Sequence, residues 1–345
     1  MSYEYERVIT PASGLRLHLN ENTAGCSPAV LEVLSKLTRR DLAAYPDYDA
    51  ALAACAGRLG VELDSLVLTN GLDEGILAAA IVALRGDSRK GPLETIVVVP
   101  AFDMYAACSD AAGGRVIDVP LLAGFEFPLD NILAAINERT RLVWLTNPNN
   151  PTGQSIPRDA IVRIATSATN ALVFVDEAYV DFGGATLIGD PVLRQLRHVV
   201  VGRTFAKAYG LAGLRAGAVV GNAETIRSLR RVVPPYSINT CAAVALPAAF
   251  GDTAYYDWYL GQVAQSKTML YDRLGRLGVT YWKSDANFVL ARFIGRGARV
   301  AAALATRGVH VRDRSRDPGC ADCLRITAGV VEHTRQLLAA LEEVL

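Results

Sequence analysis

The side chain of this sequence that offers the clearest chemistry is Lys207, in the segment VGRTFAKAYG. It follows an apolar run, residues 199–202, that is typical of a buried strand, and small side chains lie beside it. A lysine that forms an imine must be held in place with its amine unprotonated, which burial favours. Because a lysine after a strand is more often a solvated loop residue, its companions in the sequence must decide between these interpretations.

Two such companions belong to the segment VFVDEAY, where Asp176 ends an apolar run and Tyr179 follows. A carboxylate at this position can pair with a protonated ring nitrogen, so that the ring accepts electrons. A phenol nearby can donate a hydrogen bond to a ring hydroxyl. The ordinary alternatives are an aspartate that caps the next helix, which is the more common case for Asp176 taken alone, and a core aromatic for Tyr179.

A rigid turn, NPNNPTG at residues 147–153, follows the apolar run LVWLT. Its two X-Pro steps and its glycine restrict the backbone and aim Asn150 out from the sheet edge. An amide held in this way can donate a hydrogen bond to a ring oxygen. As an isolated turn the motif carries little information, but its spacing before DEAY makes it specific.

A third group of residues is suited to a phosphate. Arg215, in GLAGLRAG, can bind a phosphate through two hydrogen bonds. The segment TNGLDE predicts a strand, a turn at Gly71 and a helix start, where the free backbone N–H groups near Leu72 and Asp73 make an anion site. Thr204 offers a hydroxyl to the same anion. The helix start is weak evidence alone, because every helix has one.

The order of elements predicts an α/β protein. Short apolar strands alternate with Ala-rich helices, such as those expected at residues 73–84 and 104–112. This pattern favours a mostly parallel sheet covered on both faces, whose ligands bind where the strands end. The strands are expected at residues 65–69, 95–99, 116–119, 142–146, 172–175, 199–202 and 217–220.

The pattern changes after Pro234 and Pro235. A helical stretch at residues 241–277 precedes short strands, which predicts a smaller α/β domain that the N-terminal segment joins. The expected division is a large domain at residues 33–236 and a small domain made of residues 1–32 and 237–345. The strands of the small domain are expected at residues 279–282, 288–292 and 324–327.

The composition of the chain indicates which kinds of binding partner to expect. The 35 acidic residues balance the 35 basic ones, which favours a small molecule over nucleic acid or a membrane surface as the partner. Neither a signal peptide nor a membrane span is predicted, so a cytoplasmic location is expected. Among the six cysteines, Cys320 and Cys323 form a lone CxxC pair. Reduced structural thiols are the preferred interpretation, and no metal site is expected.

The ordered set NPNNPTG, DEAY, TFAK and GLAGLR resembles the class I/II aminotransferases that depend on pyridoxal 5′-phosphate (PLP), and within them the histidinol-phosphate aminotransferase branch. The resemblance extends over residues 20–329. It implies the fold type I architecture, with a large PLP-binding domain, a smaller domain and a homodimer with active sites at its interface. It also implies PLP as cofactor, bound to Lys207 as a Schiff base.

The same resemblance implies further site residues. Phe102 in PAFDMY corresponds to the aromatic that stacks on the pyridine ring, and Tyr45 in AYPDY to the tyrosine that reaches the neighbouring subunit's cofactor phosphate. Asn22 corresponds to a substrate-site asparagine. Arg325 corresponds to the arginine for the substrate carboxylate or phosphate, and Arg312 to a second anion-binding arginine. Both arginines can also be surface ion-pair residues, although Arg325 lies in an apolar run and would need a buried anion.

The sequence departs from the family pattern in four places. Ala206 replaces the usual hydroxyl residue before the lysine, and Ala44 replaces a basic residue before the interface tyrosine. NENTAG lacks a proline and an aromatic near the substrate. Whether Tyr3 or Tyr5 supplies the tyrosine for the substrate phosphate is open. The resemblance therefore supports the cofactor more firmly than the substrate.

Three functions remain distinct at this stage. The first is a transaminase that alternates between an amino donor and a 2-oxo acid, with histidinol phosphate as the first candidate donor and an aromatic or other amino acid as the next. The second is a PLP-dependent decarboxylase of the threonine-phosphate type. The third, a non-catalytic binding protein, disagrees with the intact set of cofactor residues. A Rossmann dehydrogenase is excluded because no GxGxxG motif opens a helix.

Overall fold

The fold is described from a computed structural model, which covers residue 11 and residues 13–86 and 91–345. Tyr3 and Tyr5, the open candidates for a substrate-phosphate tyrosine, lie outside the described residues. Within the described ranges, each helix is too short or too polar to traverse a bilayer.

A seven-stranded sheet in the order β2-β8-β7-β6-β5-β3-β4 forms the larger layer. Every strand is parallel to the others except β8, which runs antiparallel to both of its neighbours. The prediction of a mostly parallel sheet is confirmed. Its strands are β2 (Leu66–Asn70), β3 (Glu94–Val99), β4 (Arg115–Pro120), β5 (Thr140–Thr146), β6 (Leu172–Asp176), β7 (Val199–Thr204) and β8 (Ala216–Gly221).

Helices cover both faces of this sheet, because its central strands are apolar on both sides. In β5, Val143 and Leu145 pack into one core, whereas Leu142 and Trp144 pack into the core of the opposite face. This alternation follows from the two-residue period of a strand. The helices before residue 237 are α1 (Pro28–Ser35), α2 (Arg39–Ala43), α3 (Asp49–Leu59), α4 (Gly71–Leu84), α5 (Met104–Ala111), α6 (Leu129–Ala135), α7 (Arg158–Ser167), α8 (Pro191–Gln195) and α9 (Ala223–Arg230).

A second sheet has five strands in the order β1-β11-β12-β10-β9. Its first strand comes from the N-terminal segment and pairs in parallel with β11. The strands are β1 (Leu15–Leu17), β9 (Thr280–Tyr281), β10 (Phe288–Arg292), β11 (Val309–Asp313) and β12 (Cys323–Thr327). The accompanying helices are α10 (Thr240–Gly251), α11 (Thr253–Arg276), α12 (Gly297–Thr306) and α13 (Val331–Val344).

The helical stretch predicted at residues 241–277 is two helices rather than one. Asp252 separates them, and its side chain accepts a hydrogen bond from the backbone N–H of Tyr255. An aspartate that satisfies a first-turn N–H group starts a new helix instead of continuing the old one. The predicted helical stretch is thus confirmed, with a break at this residue.

Candidate active site

The carboxyl ends of the parallel strands converge on one cavity of about 160 Å³. A cavity of roughly 150 Å³ holds a benzene ring, so this one has room for a single aromatic ring. Nine residues singled out in the sequence line it: Leu72, Asp73, Phe102, Asn150, Asp176, Tyr179, Thr204, Lys207 and Arg215.

Asp176 is the buried carboxylate of the cavity. Its side chain accepts hydrogen bonds from the Tyr105 hydroxyl at 2.7 Å and from the backbone N–H of Ala178 at 2.9 Å. Burial raises the pKa of Asp176 to about 6, and these two hydrogen bonds oppose the rise. The carboxylate is therefore close to a protonation equilibrium near neutral pH. The hydrogen bond from Ala178 also holds the turn that follows β6, so Asp176 has a structural role as well.

Lys207 and Tyr179 contact the segment that follows β1. The Nζ atom of Lys207 donates to the backbone oxygen of Leu19 at 3.0 Å and lies 5.8 Å from the centre of the Tyr179 ring. The Tyr179 hydroxyl accepts from the Asn20 amide at 3.2 Å. The lysine is only partly buried. It is thus a positioned amine in the cavity wall rather than a solvated loop residue.

The phosphate-suited residues meet where β2 ends and α4 begins. Arg215 adopts a left-handed backbone conformation, and its guanidinium donates to the Asp73 carboxylate at 2.7 Å. Gly71 lies directly beneath this guanidinium and donates its backbone N–H to the Arg215 oxygen. The Gly71 N–H is therefore not available to an anion, whereas the next N–H groups of the first turn of α4, which have no partner within the helix, add donors to the same corner. Thr204 accepts from the backbone N–H of Ala206.

Arg325 is buried in β12 and joins the two sheets. Its guanidinium donates to the Asn150 side-chain oxygen at 2.5 Å and to the backbone oxygen of His18 at 2.7 Å. Burial, together with the like charges of the neighbouring Arg314 and Arg312, lowers its pKa to about 10. Among the residues that the structure describes, no carboxylate forms an ion pair with Arg325. A buried cation with neutral partners only is chemically suited to an anionic ligand.

His18 adds to this positive region. Its side chain is buried, and neither ring nitrogen has a hydrogen-bond partner in the described chain. Burial lowers the pKa of His18 to about 4, and the charges of Arg16, His310 and Arg312 act in the same direction. The imidazole is therefore neutral at physiological pH. Arg312, partly exposed, is the register partner of Arg325 across β11 and β12.

Known proteins resemble this chain in sequence. The sequence pattern of the aminotransferase class I and II family matches residues 12–341. The chain belongs to the class I and II aminotransferase family. The histidinol-phosphate aminotransferase of Limosilactobacillus fermentum is 37% identical over 95% of this chain and 90% of its own length, and that of Moorella thermoacetica is 34% identical over 99% and 88%.

Solved structures agree with the family and the fold. The histidinol-phosphate aminotransferase of Sinorhizobium meliloti, solved in complex with pyridoxal-5′-phosphate, superimposes with a TM-score of 0.83. It is 26% identical over 96% of this chain and 91% of its own. The predicted fold class, an α/β fold of type I with a mostly parallel sheet, is thereby confirmed.

PLP is the cofactor of this aminotransferase family, and the donor set of the cavity fits it. A buried carboxylate suits a protonated pyridine nitrogen, and a guanidinium beside a helix start suits a phosphate. The partly exposed aromatic ring of Phe102 provides a flat face in the same cavity. Amide and phenol groups of Asn150 and Tyr179 are available to a ring oxygen.

Five predicted site residues of this aminotransferase do not line the cavity: Gly71, Arg312, Arg325, Asn22 and Tyr45. Of these, Asn22 and Tyr45 lie elsewhere. Asn22 lines a separate open cavity of about 990 Å³, where its amide donates to the backbone oxygen of Ala208 at 3.0 Å. Tyr45 is 80% exposed and stacks on Tyr236, with 4.4 Å between the ring centres. Neither residue joins the cavity of its own chain. An arm that serves a neighbouring subunit would leave Tyr45 exposed in one chain.

Other residues of the site were missed in the sequence. Tyr105 and Thr146 line the cavity, and Asn20, rather than Asn22, contacts Tyr179. Thr146 immediately precedes the NPNNPTG turn, and Tyr105 lies on a short helix after β3, where an aromatic is ordinarily a core residue. The position of Thr146 at a strand end was the one available signal.

The CxxC pair is buried away from this site. Cys320 and Cys323 pack with Phe125 and Leu290 in a small core at the start of β12. Burial and its hydrogen bond with Cys323 raise the pKa of the Cys320 thiol. In the part of the chain that the structure describes, no group of three or more His, Cys, Asp or Glu side chains could hold a metal ion.

Proposed function

We propose that this aminotransferase takes the amino group from a donor that carries a phosphate, and that histidinol phosphate is the first candidate. The acceptor is 2-oxoglutarate or another 2-oxo acid, in a ping-pong cycle. The proposal of a phosphate on the donor rests on Arg325, which is buried and has no carboxylate partner among the described residues. The relatives named as histidinol-phosphate aminotransferases support the same donor.

The argument for an anionic donor rests on charge. An isolated buried cation costs several kcal/mol unless an opposite charge or polar groups compensate it. Arg325 has only amide and carbonyl oxygens as hydrogen-bond partners, and Arg312 adds like charge near it. Arg314 adds less, because it is ion-paired with Asp317. Neutral His18 removes one further positive charge from the cluster. A phosphate or carboxylate bound here relieves the repulsion and gains charge-assisted hydrogen bonds.

The proposed assignment gives the site residues roles in binding PLP, binding the substrate and transferring a proton. PLP supplies an aldehyde that takes the amino group and a ring that accepts electrons. Lys207 holds the aldehyde carbon, and its released amine moves a proton at the substrate α-carbon. Asp176 holds a proton on the ring nitrogen. The remaining residues bind and orient the cofactor or the substrate: Tyr179, Asn150, Phe102, Arg215, Thr204, Gly71, Leu72 and Asp73 the cofactor, and Arg312 and Arg325 the substrate. Asn22 has no task in this assignment, because it lines a separate cavity.

We also propose a cytoplasmic homodimer in which Tyr45 contacts the cofactor phosphate of the neighbouring subunit. The exposed stacked pair of Tyr45 and Tyr236 supports an interface at this surface. The proposed domain division is residues 33–236 and residues 1–32 with 237–345. The membership of β1 in the second sheet supports the assignment of the N-terminal segment to the small domain.

The test is a panel of amino donors given to the PLP-loaded protein, followed by the absorbance change as the cofactor takes up the amino group. We expect histidinol phosphate to convert the cofactor and histidinol to react much more slowly. The variant Arg325→Lys should raise the KM for the phosphorylated donor about tenfold or more, because a lysine cannot make both fork hydrogen bonds. Arg316→Lys, at an exposed position near β12, is the matched control.

The outcomes separate the alternatives. Equal rates with histidinol and histidinol phosphate would contradict the proposal that the site recognises a phosphate on the donor. If only aromatic amino acids convert the cofactor, the protein is still an aminotransferase but its amino donor is an aromatic amino acid. Release of CO₂ without any need for a 2-oxo acid would identify a decarboxylase instead.

A further inference from the structure

We propose that Tyr105 is a positioning residue of this active site, which keeps the Asp176 carboxylate ionised and fixes the direction in which its free lone pairs point. This inference rests on the proposed role of Asp176 toward the cofactor ring. It goes further, because it assigns the ionisation of Asp176 to a side chain on a different element, the helix α5.

Thr146, Tyr105 and Asp176 form a chain of hydrogen bonds in which each hydroxyl donates to the next residue. The Thr146 hydroxyl donates to the Tyr105 oxygen at 3.2 Å, and the Tyr105 hydroxyl donates to Oδ2 of Asp176 at 2.7 Å. A phenol has one proton, so a phenol that accepts from Thr146 has its own proton available for Asp176. The backbone N–H of Ala178 donates to the other oxygen, Oδ1. Both carboxylate oxygens are thus held, and lone pairs remain for the cavity.

The charges around Asp176 explain why such a donor is needed. The carboxylate is buried, and burial alone favours its protonated form. Asp73, which lines the same cavity, disfavours the charge, whereas Lys207 favours it. Tyr179 faces Tyr105 from the turn after β6. The hydrogen bond from Tyr105 is the largest of the effects that favour the ionised form.

Tyr105 is also held rigidly enough to aim this proton. Its ring stacks on Trp144 with 5.1 Å between the centres and 20° between the planes, and Phe102 lies edge-on to it at 5.8 Å. The Trp144 indole N–H donates to the Ser109 hydroxyl at 3.1 Å, which fixes Trp144 to the same helix as Tyr105. Burial and the Asp176 charge raise the pKa of Tyr105, so its phenol stays protonated.

The experiment measures the ionisation of Asp176 directly, in the cofactor-free protein, by an infrared titration of the protonated carboxyl group. Asp176→Asn identifies the band. In Tyr105→Phe we expect the titration midpoint to rise by roughly one unit or more, as removal of a charge-assisted hydrogen bond requires. Thr146→Val should raise it by less, because Tyr105 keeps its proton but loses its orienting partner.

Two further proteins make the result decisive. Tyr271→Phe removes the hydroxyl of a half-buried tyrosine that bonds to Ser284 and does not line the cavity, and it should leave the midpoint in place. A fluorinated tyrosine at position 105 is a stronger donor and should lower the midpoint, which covers the case of a Tyr105→Phe protein that does not fold. An unchanged midpoint in either Tyr105 protein would overturn the inference.

A second measurement uses the loaded enzyme. Tyr105→Phe should lower kcat more than it changes KM for the donor, and the loss should shrink as the pH rises and Asp176 ionises again. A loss of kcat that stays constant from acid to alkaline pH would mean a merely structural role. Because the infrared titration needs no cofactor, its outcome stands even if Lys207 proves to bind none.

Discussion

At the scale of single residues, Asp176 is the central group, and folding makes its carboxyl group a weaker acid. Asp176 has an ordinary pKa of 3.8, which burial raises to about 6. The native protein therefore binds this proton more tightly than the unfolded chain does. The corresponding stabilisation is fully present below about pH 4 and is lost as the pH rises through about 6.

This linkage predicts how Asp176→Asn changes stability. The free energy of unfolding of the wild-type cofactor-free protein should fall by roughly 2 kcal/mol more than that of the variant between pH 4 and pH 7. Urea unfolding at a series of pH values measures the difference. Asp257→Asn, at an exposed position of α11, is the control. Parallel pH curves for wild type and Asp176→Asn would contradict the buried, ionisable carboxyl group.

At the scale of elements, the helix α4 begins with an exceptional glycine. Gly71 has φ of 70°, and a Cβ atom there would lie 2.8 Å from the Arg215 guanidinium carbon. Gly60, which ends α3, has a similar φ of 66°, but a Cβ atom there meets nothing within 4 Å. The two glycines therefore separate the effect of backbone strain from the effect of displacing Arg215.

We expect Gly60→Ala and Gly71→Ala both to lower stability by about 1 kcal/mol, because alanine is strained at positive φ. Only Gly71→Ala should also weaken PLP binding, by about tenfold or more, since it moves a charged hydrogen-bond donor. Thermal unfolding and a fluorescence titration with PLP measure the two effects. Equal PLP affinity of both variants would show that Arg215 does not hold the phosphate.

The elements also show what a sequence can predict here. The strands of the large sheet were predicted because runs such as LVWLT are apolar on both faces, and their ends located most of the cavity. The strand β11 was missed because His310 and Arg312 interrupt its apolar pattern. The contact of Tyr105 with Asp176 joins distant parts of the chain, so local patterns do not encode it. The break at Asp252 is a local helix cap, which the aspartate in GDTAYY could have indicated.

At the scale of the whole molecule, the site exists only where the two sheets meet. Arg325 from the second sheet bonds to Asn150, which follows the large sheet, and the N-terminal segment contacts both Tyr179 and Lys207. A substrate bound by Arg325 thus connects both sheets to the cofactor cavity. We expect donor binding to stabilise the whole chain rather than one sheet.

The proposed homodimer belongs to this scale as well. Tyr45→Ala and Tyr236→Ala should each weaken dimerisation about tenfold or more, because they remove an exposed stacked pair that is 80% and 55% accessible. Sedimentation velocity over a range of concentrations measures the equilibrium. Trp258→Ala, at another exposed aromatic, is the control. A wild-type protein that sediments as a monomer at all concentrations would contradict the dimer.

The most direct test of the account is the attachment point of PLP. Borohydride should fix the cofactor to one lysine, and mass spectrometry of the peptides should locate it on Lys207. Lys207→Ala should lose this label, the visible absorbance of the bound cofactor and steady-state turnover, whereas the exposed Lys36→Ala should keep all three. Label on Lys267, a second buried lysine, or on no lysine at all would contradict the central claim.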